Sequence, residues 1–311
     1  MTRDPKSKEY AIVTKFSNGG SLRDVIKKNH NILNWKTIIS MLYNIGFGLS
    51  NIHGNYYHHR DFHSGNILND IYGILSNYIK PNISDFGLCT PADQNSVDKT
   101  LYGVLPFVAP EVLRDEKFTK AADIYGFGML MFEVISGEVP FADREFDIHL
   151  ALDVCDGVRP QIPGYAPEPY ITLMKRCWDP IPTNRPTANE LYNHFRDWQE
   201  IISNYIDMPY NWNKKDRMQE IEEAFSQERE DKWKTRLKEL ATNPRPLKKS
   251  QNLFTSKKLD YSKQLSQLLK TKDVKGETDN DGTLFYLNDK FISSISNTVY
   301  SINNRVSYSA I

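Results

Sequence analysis

Residues 58–68 read HHRDFHSGNIL, and they decide how the rest of the chain is read. His59, Arg60, Asp61 and Asn66 crowd ionisable and amide groups into one short stretch, which then closes on the apolar pair Ile67 and Leu68. A surface loop would be more mixed, and a core strand would carry fewer polar groups. Immediately upstream, Asn34 is placed to cap a helix. The steps of three and four through Trp35, Ile38, Leu42, Ile45, Leu49 and Ile52 give that helix a broad buried stripe. A buried helix thus delivers the polar stretch to its place.

Working outward, further signals follow in order. Asp85-Phe86-Gly87 comes next, then Ala109-Pro110-Glu111, then AADIYGFGMLMFEVISG over 121–137, apolar nearly all round and so expected inside the molecule. RCWDPIPTNRP closes the set at 176–186. One triplet would be weak evidence, but together and in this order they resemble the C-terminal lobe of a protein kinase of the tyrosine-kinase-like group, over about residues 9–200. The fold class expected is therefore mainly α: a kinase-like C-lobe with a remnant hinge strand and a charged helical extension.

The resemblance implies ATP-dependent phosphoryl transfer to protein hydroxyls, with ATP and magnesium as cofactors and a protein as substrate. That chemistry needs positioning and charge stabilisation more than covalent work by the protein. By resemblance, Asp61 accepts the hydroxyl proton, and Asn66 and Asp85 hold magnesium, whose preference for hard oxygen ligands suits both side chains. His59 is expected to pack against Phe86, ahead of Gly87, and Arg60 to meet a phosphate on the segment from Asp85 to Glu111. Ser96, Thr100 and Tyr102 are its candidate phosphosites, with Thr90 a further hydroxyl there. Glu111 is expected to pair with Arg185, and Asp123 to hold the backbone of the catalytic loop. Upstream, YAIVTKF at 10–16 reads as the last N-lobe strand and hinge. Thr14 would set the depth of the nucleotide pocket, the backbones of Lys15 and Ser17 would bond adenine, and Leu68 would floor it.

The pattern has three departures. His63 stands where Ser/Thr kinases often carry lysine, and Val104 where threonine is usual; Ser/Thr specificity is still expected over Tyr, because the AARN or RAAN form of the loop is absent. Before residue 10 stands only MTRDPKSKE, without a glycine-rich loop, strand lysine or helix glutamate. The resemblance then implies a truncated kinase whose unaided activity is doubtful. The alternative is a pseudokinase-like binding or scaffold module, against which the retention of Asp61, Asn66 and Asp85 argues. A small-molecule phosphotransferase is the third reading, opposed by the APE segment and the DIYGFG helix.

Composition sets the outer bounds. The 311 residues carry 39 basic and 39 acidic side chains, so net charge suggests no nucleic-acid partner. No apolar run suits a membrane span or a secretory signal. Three scattered cysteines fit a reduced, cytoplasmic protein with inert thiols. Helices are expected at LRDVIKK behind Ser21 and near 146–157, 167–178 and 187–201. The domains expected are a hinge remnant at 1–20, the C-lobe at 21–204, a charged extension at 205–244 and a disordered basic, Ser/Asn-rich tail at 245–311, with one short helix at 259–270. Within the extension, 214–240 reads as one long exposed helix, docking by a narrow stripe and offering a surface to a partner.

Overall fold

The computed structural model describes residues 2–3, 5–11, 13–30, 33–72, 78–92, 101–202, 215–226, 231–235, 238, 255–259, 265 and 268. The chain divides into two units, Met1–Asp260 and Tyr261–Ile311. In the second, only Leu265 and Leu268 are described, both at helical positions.

The first unit opens with a short hairpin, β1 (Thr2–Arg3) against β2 (Tyr10–Ala11). The strand expected over 10–16 is therefore shorter: among its described residues only Tyr10 and Ala11 pair, and Val13 and Phe16 are exposed. The reason is competition for partners. The backbone of Gly19 donates to the Asn69 carbonyl and that of Asn69 to Gly20, both at 2.8 Å, so the chain binds the sheet after residue 17 rather than before it.

Helix α1 (Leu22–Asn29) starts at a capping box in which Ser21 and Asp24 satisfy each other's backbone N–H groups. Helix α2 (Trp35–Gly54) is capped by the Asn34 side chain, which accepts from the Thr37 amide at 2.8 Å. Its stripe is buried at Trp35, Ile38, Leu42, Ile45 and Leu49. Short strand β3 (Tyr57–His58) follows, then a hairpin of β4 (Ile67–Tyr72) and β5 (Tyr78–Ile83), registered from Ile67 opposite Ile83 to Tyr72 opposite Tyr78. Strand β6 (Thr90–Pro91) pairs with β3, and β7 (Tyr102–Gly103) lies beyond it in sequence.

The remaining body is helical: α3 (Pro110–Leu113), α4 (Lys120–Ser136), α5 (Ile148–Cys155), α6 (Glu168–Cys177) and α7 (Ala188–Ile202). Every residue of α4 from Ala122 to Ser136 is buried, as expected of a helix apolar all round. Around it Phe127 stacks between Phe62 and Phe195, with ring centroids 5.9 and 5.8 Å away, and the Tyr170 hydroxyl donates to the Met131 carbonyl at 2.8 Å. Cys155 and Cys177 lie in this core, and burial pushes the Cys155 thiol up to about 11.

Two expectations for the C-terminal part are corrected. The long helix at 214–240 is instead α8 (Lys215–Ala224), which ends in a turn at Phe225; a separate helical piece is described over 231–235. The break lets the anchors turn inward. Ile221, Phe225 and Trp233 are buried, with the Phe225 and Trp233 rings 5.5 and 5.6 Å from Trp35. The Trp233 indole N–H donates to the Leu33 carbonyl at 3.0 Å. This stripe docks on the chain's own lobe, so these anchors are not free for a partner. The second correction concerns the tail: Lys257–Lys258 form strand β8, antiparallel to β7. Leu259, where the short helix was expected to start, is not helical; most of 259–270 lies outside the described residues.

Candidate active site

Three elements meet behind the loop that follows β3, and Asp123 in the first turn of α4 organises them. Its Oδ2 accepts from the His59 amide and from His53 Nε2, each at 2.9 Å, and its Oδ1 accepts from the Arg60 amide at 3.0 Å. Arg60 takes a left-handed backbone, φ 69°, which a non-glycine residue adopts only when its surroundings impose it. The Asp123 carboxylate supplies that constraint. Gly126, one turn along α4, permits the close approach: a Cβ there would stand 2.7 Å from the Phe62 carbonyl oxygen.

His59 links this loop to the next. Its Nε2 donates to the Ser84 carbonyl at 2.9 Å, and its Nδ1 accepts from the Asp61 amide at 3.3 Å. The ring centroid lies 5.5 Å from that of Phe86, which is itself half exposed.

Asp61 and Asn66 are brought together directly. The Asn66 side-chain amide donates to the Asp61 carbonyl at 2.9 Å and to Asp61 Oδ2 at 3.1 Å. The Asn66 carbonyl in turn accepts from both the amide and the hydroxyl of Ser84, at 2.8 and 2.9 Å. Asp85 follows Ser84 in a left-handed conformation, φ 59°, exposed, with Oδ1 accepting from the Gly87 amide at 3.3 Å. Asp85 thus leaves from a residue bonded to Asn66, and the two loops share one anchor.

Asp61 is buried, which would raise its pKa, yet the group is held below the ordinary carboxylate range. Hydrogen-bonding and charge interactions with His63 do most of the lowering, helped by Ser256 and Asn66. His63 Nε2 stands 3.5 Å from Asp61 Oδ1, while its Nδ1 accepts from the Gly65 amide at 3.0 Å. The carboxylate is therefore ionised at neutral pH and oriented from two sides. Because the Asn66 nitrogen is committed to Asp61, its amide oxygen is turned to the other side. That oxygen and the Asp85 carboxylate are hard donors of the kind a small divalent cation prefers. Among the described residues no cluster of three or more His, Cys, Asp or Glu side chains could hold a metal, so a cation here would complete its shell with water or phosphate oxygens.

The residues expected from the sequence to form a hinge run beside this site. Ser21 bridges to Leu68, and Asn18 exchanges hydrogen bonds with Ile71. Lys15 Nζ reaches Asp70 Oδ2 at 2.7 Å, so its side chain is held while Thr14 stays exposed and Ser17 half-buried. On the far side, Arg185 grips Glu111 through two bonds of 2.7 and 2.8 Å in a buried, bidentate ion pair. The Arg60 guanidinium lies over the Phe118 ring, 5.6 Å from its centroid. Tyr102 is partly exposed in β7 and Thr90 is half-buried in β6, whereas Ser96 and Thr100 lie outside the described residues.

Sequence reasoning missed His53, Ser84 and Ser256, each of which touches a residue of this site. His53 carried a signal, as the one ionisable group in the last turn of α2. Ser84 and Ser256 carried none.

Residues 2–195 match the family described as protein tyrosine and serine/threonine kinase. A putative serine/threonine-protein kinase/receptor of Acanthamoeba polyphaga mimivirus is 36% identical over 62% of this chain and 11% of its own length. Mitogen-activated protein kinase kinase 3 of Arabidopsis thaliana is 30% identical over 61% of this chain and 36% of its own length. The chain thus spans about a tenth of the viral relative and about a third of the plant one. With more than half of its residues matched, the chain belongs to the protein tyrosine and serine/threonine kinase family.

Proposed function

We propose that this chain serves as the C-terminal lobe of a kinase that carries out ATP-dependent phosphoryl transfer to serine or threonine hydroxyls of proteins. The observation that carries the reading is the clamp in which Asn66 holds Asp61 while Ser84, one residue before Asp85, holds Asn66. Asp61, ionised and buried, accepts the proton of the incoming hydroxyl. The Asn66 amide oxygen and the Asp85 carboxylate would hold a magnesium ion, which would supply neutralisation of the charge that develops on the phosphates. The backbones of Lys15 and Ser17 bond the adenine edge, Thr14 limits the depth of its pocket and Leu68 lies beneath it. Serine or threonine is favoured over tyrosine because the tyrosine-kinase form of the loop is absent and the viral relative is named a putative serine/threonine-protein kinase/receptor. Exposed Val13 and Phe16 offer an apolar seat beside the hinge, where a covering N-terminal lobe would dock.

The test is magnesium-dependent transfer of labelled phosphate from ATP to casein by this chain joined to a kinase N-terminal lobe. Asp61→Asn keeps the shape and removes the base, so transfer is expected to fall by about 10²–10⁴, the usual worth of a general base. Transfer undiminished by that change would overturn the role of Asp61. Nucleotide binding with no transfer to any protein would favour the scaffold reading instead.

A further inference from the structure

Residues 255–259, Thr-Ser-Lys-Lys-Leu, lie across the site rather than away from it. In the β7–β8 pair Gly103 stands opposite Lys257 and Tyr102 opposite Lys258, and the Leu259 amide donates to the Leu101 carbonyl at 2.8 Å. Leu259 is 2% exposed, so the segment is seated by an apolar anchor as well as by backbone. Gly103 marks where this brings the chain: a Cβ built on it would lie 3.8 Å from Asp61 Oδ1. Ser256 precedes the residue opposite Gly103, which brings its exposed side chain to the Asp61 side of the strand pair, and it is among the groups that hold the Asp61 carboxyl below its usual range. An extended peptide added to a short edge strand, with a hydroxyl at a buried carboxylate, has the form of a bound acceptor.

We propose that Ser256 is a phosphoacceptor in cis: residues 255–259 occupy the protein-substrate cleft and present the Ser256 hydroxyl to Asp61. This rests on the phosphotransfer reading above and names a substrate for it. In the step, Ser256 Oγ forms a bond to the γ-phosphorus of magnesium-bound ATP while the bond to the β–γ bridging oxygen breaks. The electron pair leaves with ADP and the Oγ proton passes to Asp61. The product carries roughly −1.5 to −2 charge against the Asp61 carboxylate, which drives the segment out of the cleft. Self-modification therefore opens the cleft to other proteins.

The experiment incubates the lobe-completed full chain with magnesium ATP and casein, maps phosphosites by mass spectrometry over time, and repeats the reaction across about a hundred-fold range of chain concentration, since an intramolecular step has a fixed effective concentration. The expected result is early labelling of Ser256 with a rate constant per chain independent of dilution, followed by accelerating casein transfer. Leu259→Asp, which unseats the anchor, should cut Ser256 labelling at least tenfold and remove the lag in casein transfer. Ser256→Thr should move the label onto the threonine, which keeps the test intact if Leu259→Asp fails to fold. Casein phosphorylated with Ser256 unlabelled, or labelled at a rate that scales with chain concentration, would overturn the cis acceptor while leaving the phosphotransfer reading in place. No transfer to casein or to the chain would overturn both.

Discussion

Single side chains in this lobe do their work through burial, and His30 shows how that can be read out. Its ring lies against Trp233, 4.9 Å between centroids, and its Nε2–H donates to the Val134 carbonyl at 3.0 Å. Burial lowers its pKa from 6.5 to about 4, because the cation would lose its water. The unfolded chain therefore binds a proton near pH 6.5 that the folded chain refuses until about pH 4. Stability from this group is full above pH 6.5, is lost as pH falls toward 4, and loses no more below that. The loss is at most about 3 kcal/mol, from about 2.5 pKa units at 1.36 kcal/mol each. Urea unfolding at pH 7 and pH 4.5 should show it, and His30→Phe should flatten that part of the profile. An unchanged slope would remove His30 as the sensitive group. At this scale much was legible. The Glu111–Arg185 contact and the bonds from Asp123 to the backbone of His59 and Arg60 join residues singled out by motif alone. His30 was not, since nothing local to it tells that a tryptophan two hundred positions later covers its ring.

Between elements, the lobe's helices were read well because periodicity and caps lie within each segment, as Ser21 with Asp24 and Asn34 with Thr37 show. The extension was read less well. Its dense charges face solvent whether it forms one helix or two pieces, so its pattern could not reveal the turn at Phe225. What decides is a recess near Trp35, Tyr165 and Trp198, lined from distant parts of the chain, into which Phe225 and Trp233 fit. Trp233 is fully buried and hydrogen-bonded, so Trp233→Ala removes a large ring and leaves the Leu33 carbonyl without that donor. The expected cost is about 3–5 kcal/mol, the range for emptying an aromatic site in a core. A chemical-denaturation midpoint of Trp233→Ala equal to that of the parent chain would show that the extension packs without holding. The same logic explains the strand at 10–16: β-branched residues favour extension, but pairing needs a neighbour, and Asn69 bonds Gly19 and Gly20 instead.

For the molecule as a whole, the consequence is competition between its two ends. Strand β8 is only Lys257–Lys258, its partner β7 lies over 150 positions earlier, and neither alternates apolar with polar side chains; a basic, serine-rich tail gave no reason to expect either. Yet a tethered segment faces its cleft at an effective concentration that, for flexible links, reaches the millimolar range. Until Ser256 is phosphorylated, any separate protein acceptor must displace it. Removing residues 245–311 from a lobe-completed Ser256→Ala chain, whose tail cannot be driven out by its own phosphorylation, should therefore lower the KM for a protein acceptor by about tenfold or more, as expected when a tethered competitor is lost. The KM for ATP should stay where it was, because the β7–β8 pair lies beside Asp61, whereas Lys15 and Ser17, proposed to bond adenine, lie along β4. A peptide of residues 253–260 added to the truncated chain should restore the higher apparent KM and should itself be phosphorylated on the serine. Steady-state kinetics with casein as the varied substrate separates the outcomes. A fall in both KM values would mean that the tail braces the whole site, and no fall in either would mean that the tail does not compete for the acceptor cleft.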